Sequence, residues 1–209
     1  MMEEYRRPLP QLHREYEQAF RRKIGTGPGC VDGSANDIAL AVWCAQTTLA
    51  AELLGEIHAR EPVFFEELVI DVLLAMGYGT RRRDLARRLG RSSDGGVDGL
   101  ISVDELGLDL IYLQAKRLKP GNAVPISEVR DFAGSLDAHR ASKGIFVATS
   151  HFSAAAASFC EQVSRRVVLV DGVKFAELMI RHDIGVSVQQ SYQIKQLDPD
   201  YFRREGRRR

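Results

Sequence analysis

The chain has 209 residues, 44% of them apolar and 27% charged, and its net charge is +1. Such a composition belongs to a folded domain with a core, which excludes a low-complexity or fibrous chain, and the charge balance gives no global sign of an acidic partner. Three widely spaced cysteines, Cys30, Cys44 and Cys160, without a C-x-x-C pair argue against a disulfide framework or a zinc site. A reducing compartment follows, and the expected location is cytoplasmic.

The N-terminal stretch MMEEYRRPLPQ lacks the apolar core of a signal peptide. Residues 11–23 carry Leu12, Tyr16, Ala19, Phe20 and Ile24 at helical spacing. The Gly- and Pro-dense run GTGPGCVDGS, residues 25–34, then reads as a linker. Ser34 or Asn36 can cap a helix running to about Ala59. Its apolar stretch from Ile38 to Leu54 is interrupted by Gln46, Thr47, Thr48 and Glu52, so a buried helix is expected there, with no membrane span. Pro62 can open the next helix. Phe65, Leu68, Val69, Val72, Leu73 and Met76 give that helix one apolar stripe, and Gly77 and Gly79 end it.

Six arginines fall between Arg81 and Arg91, and the glycine-dense RSSDGGVDG, residues 91–99, follows. The apolar period then changes to two. Residues 97–103 and 108–116 read as strands joined by a turn at DELG, which makes a hairpin. Beyond it, helices are expected at 127–139, 153–165 and 173–182, and buried strands at 144–150 and 167–170. A last strand is expected at 186–194. This order argues a mixed α/β sheet covered on both faces. The chain divides into a helical arm and linker (residues 1–36), one catalytic domain (37–203) and a basic tail (204–209) with five arginines from Arg203 onward.

The hairpin carries the chemistry. Residues two apart on a strand share a face, so Gln114 and Lys116 stand with Leu110 and Tyr112. Counting back from a turn that pairs Val103 with about Leu108, Asp98 falls within about one residue of Gln114 across the ladder. A carboxylate and a neutral oxygen bind Mg²⁺. The ion polarises a phosphoryl oxygen and acidifies a bound water, and a neighbouring lysine stabilises developing negative charge. Glu66 borders the buried stripe of the preceding helix and is the expected second acid. Each residue also has a plainer reading taken singly. Asp98 and Asp94 suit turns, Gln114 and Lys116 a solvated strand end, Glu66 a helix flank, His151 a polar loop and the arginine run a solvated helix face.

Five blocks in order change that balance: VFFEELVIDVLLAMGYG, SSDGGVDGLI, LGLDLIYLQAKR, KGIFVATSHFS and VVLVDG…LMIRHDIGV. Over roughly residues 50–203 the sequence resembles the catalytic domain of Mrr-type (type IV) restriction endonucleases. These belong to the PD-(D/E)XK nuclease superfamily, in the variant where Gln replaces the second acid. The resemblance implies a restriction-endonuclease-like fold, with a mixed central sheet flanked by helices. It implies Asp98 as the motif acid, Gln114-x-Lys116 as the variant motif and Glu66 as the helix acid, with Asp98, Gln114 and Glu66 as metal ligands. It further implies Mg²⁺-dependent cleavage of foreign, usually methylated, DNA. Arg81, Arg82, Arg83 and Arg117 are the expected contacts to the DNA backbone.

Two features depart from the family pattern. RSSDGG stands where the family has GSGDGG, and about 50 residues precede the match, too few for the family's winged-helix recognition domain. A separate recognition subunit is therefore expected to supply modification specificity. Two-strand cutting requires a dimer or higher homo-oligomer. The alternatives are a catalytically silent DNA-binding module, and a repair or junction-resolving nuclease of the same superfamily.

Overall fold

A computed structural model describes residues 33–81, 86–88, 96–163, 165–193 and 195–203. The expected helix at 11–23, most of the linker, Asp94 and the loop Arg91-Ser92-Ser93, Arg82, Arg83 and the tail 204–209 lie outside the described residues. Two helices lead, α1 (Gly33–Ala59) and α2 (Pro62–Ala75), followed by a 3₁₀ turn at Tyr78–Arg81. Then come β1 (Ala86–Arg88), β2 (Gly99–Ser102), β3 (Leu110–Lys116), α3 (Ile126–Ala138), β4 (Lys143–Ala148), α4 (Ala154–Gln162), β5 (Arg166–Val170), α5 (Gly172–Arg181) and the single turn α6 (Pro199–Phe202).

The five strands form one sheet in chain order. β1–β2 and β2–β3 are antiparallel, while β3–β4 and β4–β5 are parallel. A parallel neighbour requires a crossover, and α3 and α4 supply the two crossovers. Both helices pack on one face of the sheet, where Val129, Phe132, Leu136 and Ala156 meet Phe146 and Ala148. On the other face Leu53, Leu54 and Ile57 of α1, the stripe of α2 and Phe175 and Met179 of α5 meet Ile101, Ile111, Leu113 and Val147. β4 is thus covered on both sides, which explains its continuous apolar run GIFVA.

Edge-to-face ring pairs lock each layer: Phe65 with Phe175 at 5.4 Å, and Phe132 with Phe146 at 5.5 Å. Gly144 lets α3 approach the sheet, because a Cβ there would lie 2.7 Å from Leu136 and 2.8 Å from Phe132.

Three expectations are corrected. Of the arginine run, the described parts are the end of the 3₁₀ turn at Arg81 and the edge strand β1 (Ala86–Arg88), in place of the solvated helix face of the plainer reading. Residues 186–193 pair with nothing as a strand, and no strand is assigned there. The apolar helix at 38–54 is buried only in its second half, from Ala50 on, whereas Ile38 and Val42 are exposed. By length and composition alone, Ile38–Ala59 would suffice to cross a membrane, but Ala50, Leu53, Leu54 and Ile57 lie in the core.

Candidate active site

The hairpin is shaped by Asp104. Its carboxylate accepts hydrogen bonds from the backbone N–H of Leu106 at 2.8 Å, Leu108 at 3.2 Å and Asp109 at 2.5 Å. The bonds from Asp109 and Leu108 contribute most to holding this carboxyl below the usual carboxylate range. Gly107 turns the chain at φ +73°. Val103 N–H donates to the Asp109 carbonyl at 2.7 Å, so the loop is one residue longer than the bare DELG turn. That extra residue sets the register, with Ser102 opposite Leu110 and Gly99 opposite Leu113. Asp98 immediately precedes Gly99, at the end of the ladder where β3 continues into Gln114.

At this end of the ladder the Asp98 N–H donates to the Leu113 carbonyl at 2.8 Å, and Asp98 Oδ2 accepts from the Ala115 N–H at 2.8 Å. The carboxylate is therefore fixed on the β3 backbone between Gln114 and Lys116. All three side chains are half-buried. Gly96 closes in from the glycine loop at φ +85°, and a Cβ there would lie 3.3 Å from Gln114 Oε1. The second glycine of DGG thus has both a conformational and a steric reason to be glycine.

Lys116 extends along the face covered by α3, where its ammonium meets Glu128 Oε2 at 2.5 Å. Glu128 belongs to the first turn of α3, and this oxygen is buried with no well-directed hydrogen bond. The sequence reading missed it. Topology offered the signal: a crossover helix starts at the end of the strand it leaves, so an acid in its first turn lies close to that strand's last lysine.

Beyond β3 the chain is pinned to the end of β4. Thr149 Oγ1 accepts from the Leu118 N–H and donates to the Leu118 carbonyl, both at 3.0 Å. Arg117 Nη1 donates to the His58 carbonyl near the end of α1 at 2.7 Å. Its guanidinium thus satisfies a terminal helix carbonyl, and its Nε is buried without a partner. Burial, and secondarily the Arg117 charge, lower the His58 pKa.

Glu66 is half-buried on α2, which packs on the sheet face opposite α3. Arg81 ends the 3₁₀ turn. Within the arginine run, the register sets Arg87 beside Leu100 and Arg88 beside Gly99, next to Asp98 in the chain. His151 is exposed, and its carbonyl accepts from the Val124 N–H at 2.9 Å.

Among the described residues no three His, Cys, Asp or Glu side chains cluster as a metal cage. The donors at hand are one carboxylate and one amide oxygen. That all-oxygen set fits a hard cation that keeps several of its waters.

A mixed sheet flanked by helices, with a D…QxK constellation across one hairpin, defines an α/β protein of the restriction-endonuclease-like fold. The solved structure of the DNA modification-dependent restriction endonuclease AspBHI shares this fold, with a TM-score of 0.51 and 21% identity over 68% of this chain and 36% of that one. The family model Mrr_cat, restriction endonuclease, matches residues 57–179. The type IV methyl-directed restriction enzyme EcoKMrr of Escherichia coli (strain K12) is 42% identical over 154 residues. The chain belongs to the Mrr restriction-endonuclease family. It spans about half the length of that relative, since the match covers 74% of this chain and 49% of EcoKMrr.

Proposed function

We propose that this chain is a Mg²⁺-dependent endonuclease that hydrolyses DNA phosphodiester bonds in the restriction of foreign, modified DNA. The observation that carries this reading is the register. It pairs Gly99 with Leu113 at the end of the hairpin, and the Asp98 carboxylate accepts from the Ala115 N–H, between Gln114 and Lys116 in the chain, which supports Asp98, Gln114 and Lys116 as one site. The relatives' names, methyl-directed and modification-dependent, support modified DNA as the substrate class.

Asp98 and Gln114 are the ligands for a divalent ion, and Glu66 is the candidate for a further one. When bound, such an ion polarises the phosphoryl group and lowers the pKa of a water. The chain's own residues do the rest. The Ala115 amide holds the Asp98 carboxylate in place. Lys116 offsets negative charge as it develops on the phosphate. Arg81, Arg82, Arg83 and Arg117 are proposed to meet the DNA backbone, with part of Arg117 already engaged by His58. Cutting both strands calls for two copies of the site, hence a dimer or higher assembly, with modification readout in a separate subunit or domain. A cytoplasmic location fits this role.

The test is nicking of supercoiled plasmid by the purified chain, with and without Mg²⁺. Nicks are expected only with the metal, and Lys116→Ala should abolish them. A Lys116→Ala protein that cuts at the wild-type rate would refute the assignment.

A further inference from the structure

We infer that Glu128 is a positioning residue that fixes the Lys116 ammonium over the Asp98–Gln114 pair. The inference rests on the proposed active site and deepens it. A lysine side chain has four rotatable bonds and loses about 2 kcal/mol of rotamer entropy when held in one place. Lys116 leaves β3 at its last residue, where no following strand residue packs beside it. Something must aim it if it is to serve a single phosphate.

Glu128 has the geometry for that task. It comes from the first turn of α3, a helix anchored on the sheet by Val129, Phe132 and Leu136, which are fully buried. Its own backbone is therefore rigid. Its Oε2 is buried, lies 2.5 Å from Lys116 Nζ and has no well-directed hydrogen bond. A carboxylate oxygen taken from water with an ammonium as its charge partner is costly to keep. The Asp109–Lys143 pair, at 2.7 Å, is somewhat more open, its side chains 41% and 42% exposed against 36% for Lys116 and 27% for Glu128. Glu128 gives Lys116 an anion on the α3 side, while Asp98 Oδ2 is held by the Ala115 N–H. Glu128 takes the ammonium on the α3 side and leaves Asp98 to the hairpin. Glu128 is no metal ligand in this scheme; it acts on the substrate only through Lys116.

Two measurements on the full chain test this. The first is ¹⁵N relaxation of the Lys116 ammonium, assigned by its loss in Lys116→Arg. Wild type should show an ordered ammonium, Glu128→Gln an intermediate one and Glu128→Ala a mobile one. Equal mobility in all three would overturn the inference whether or not the chain cuts DNA. The second is steady-state cleavage with Mg²⁺. Glu128→Ala should lower kcat about tenfold to a hundredfold, the range expected when a catalytic group is misplaced by about 1 Å, with KM for DNA unchanged. Glu128→Gln, which keeps the shape and the acceptor, should recover part of that loss. A Glu128→Ala protein with unchanged kcat, or with a loss confined to KM, would also overturn it. Inactivity of the wild-type chain with any divalent metal would instead overturn the endonuclease reading, and the relaxation result would then decide the Lys116–Glu128 tether by itself.

Discussion

Asp98 is tied to β3 on either side of Gln114, by its N–H to the Leu113 carbonyl and its carboxylate to the Ala115 N–H, and the proposed roles of Asp98 and Gln114 can be separated by substitution. Asp98→Asn removes the only formal charge of the proposed ligand pair while keeping an acceptor for the Ala115 N–H. Titration of cleavage with Mg²⁺ should show a large loss of metal use, and DNA binding measured without metal should change little. Gln114→Glu should retain cleavage, since both side chains present an oxygen at the same place. A folded but inactive Gln114→Glu protein would remove Gln114 from the ligand set. At this scale the sequence was readable wherever period-two alternation applies, and Gln114 and Lys116 could be placed on one face by counting. Glu128 was not readable that way. It lies 12 residues beyond Lys116, in a helix, and is brought back only by the crossover from β3 to β4. Glu66 illustrates the opposite limit. Helical spacing correctly put it at the border of a buried stripe, yet spacing says nothing about which end of the sheet that border meets.

The individual elements were legible in proportion to their apolar period. α2, α3, β3, β4 and α5 begin and end within a few residues of where periodicity and turn residues placed them. β1 was not legible, because Ala86–Arg88 has no apolar alternation and is a strand only through pairing with β2. Residues 186–193 fail in the converse way. Val186, Val188 and Tyr192 give strand propensity, but that propensity is realised only against a partner strand. Val188 and Tyr192 are instead exposed. Two element-level predictions follow from the close fits. Gly144→Val would drive a branched side chain into Phe132 and Leu136, and overpacking of this kind costs about 1–3 kcal/mol or more. Urea unfolding should show the loss; an unchanged midpoint would mean that α3 packs less tightly on β4 than described. The second concerns the hairpin loop. The Asp104 carboxyl is held below its ordinary value, so its charged form stabilises the fold above about pH 4, and that contribution disappears as pH falls further. Asp104→Asn should therefore lower Tm at pH 7, with the gap to wild type closing in acid. A gap that stays constant from pH 7 to pH 3 would show that the ionised carboxylate is not what holds the loop.

On the proposed reading, the hairpin meets a phosphate backbone, which carries no direct sequence information. Reading a methylated base requires an element that enters a groove or a pocket that accepts a flipped base. Among the described residues, both sheet faces carry packed apolar cores. The backbone register sets Arg87 beside Leu100 and Arg88 beside Gly99 of the hairpin. The family relative EcoKMrr is described as methyl-directed, but this chain matches only about half of it. The expectation is therefore that the purified chain binds DNA with strong salt sensitivity and little regard for methylation. Replacing Arg81, Arg82 and Arg83 by Gln should flatten the salt dependence by up to about 3 units, roughly 0.9 per lost phosphate contact. Competition between otherwise identical methylated and unmethylated duplexes, at fixed salt, checks the specificity. A preference below tenfold, about 1.4 kcal/mol, is expected. A larger one would mean that this α/β domain reads the modified base itself, and it would direct attention to the glycine loop ahead of Asp98, where RSSDGG departs from the pattern of the family.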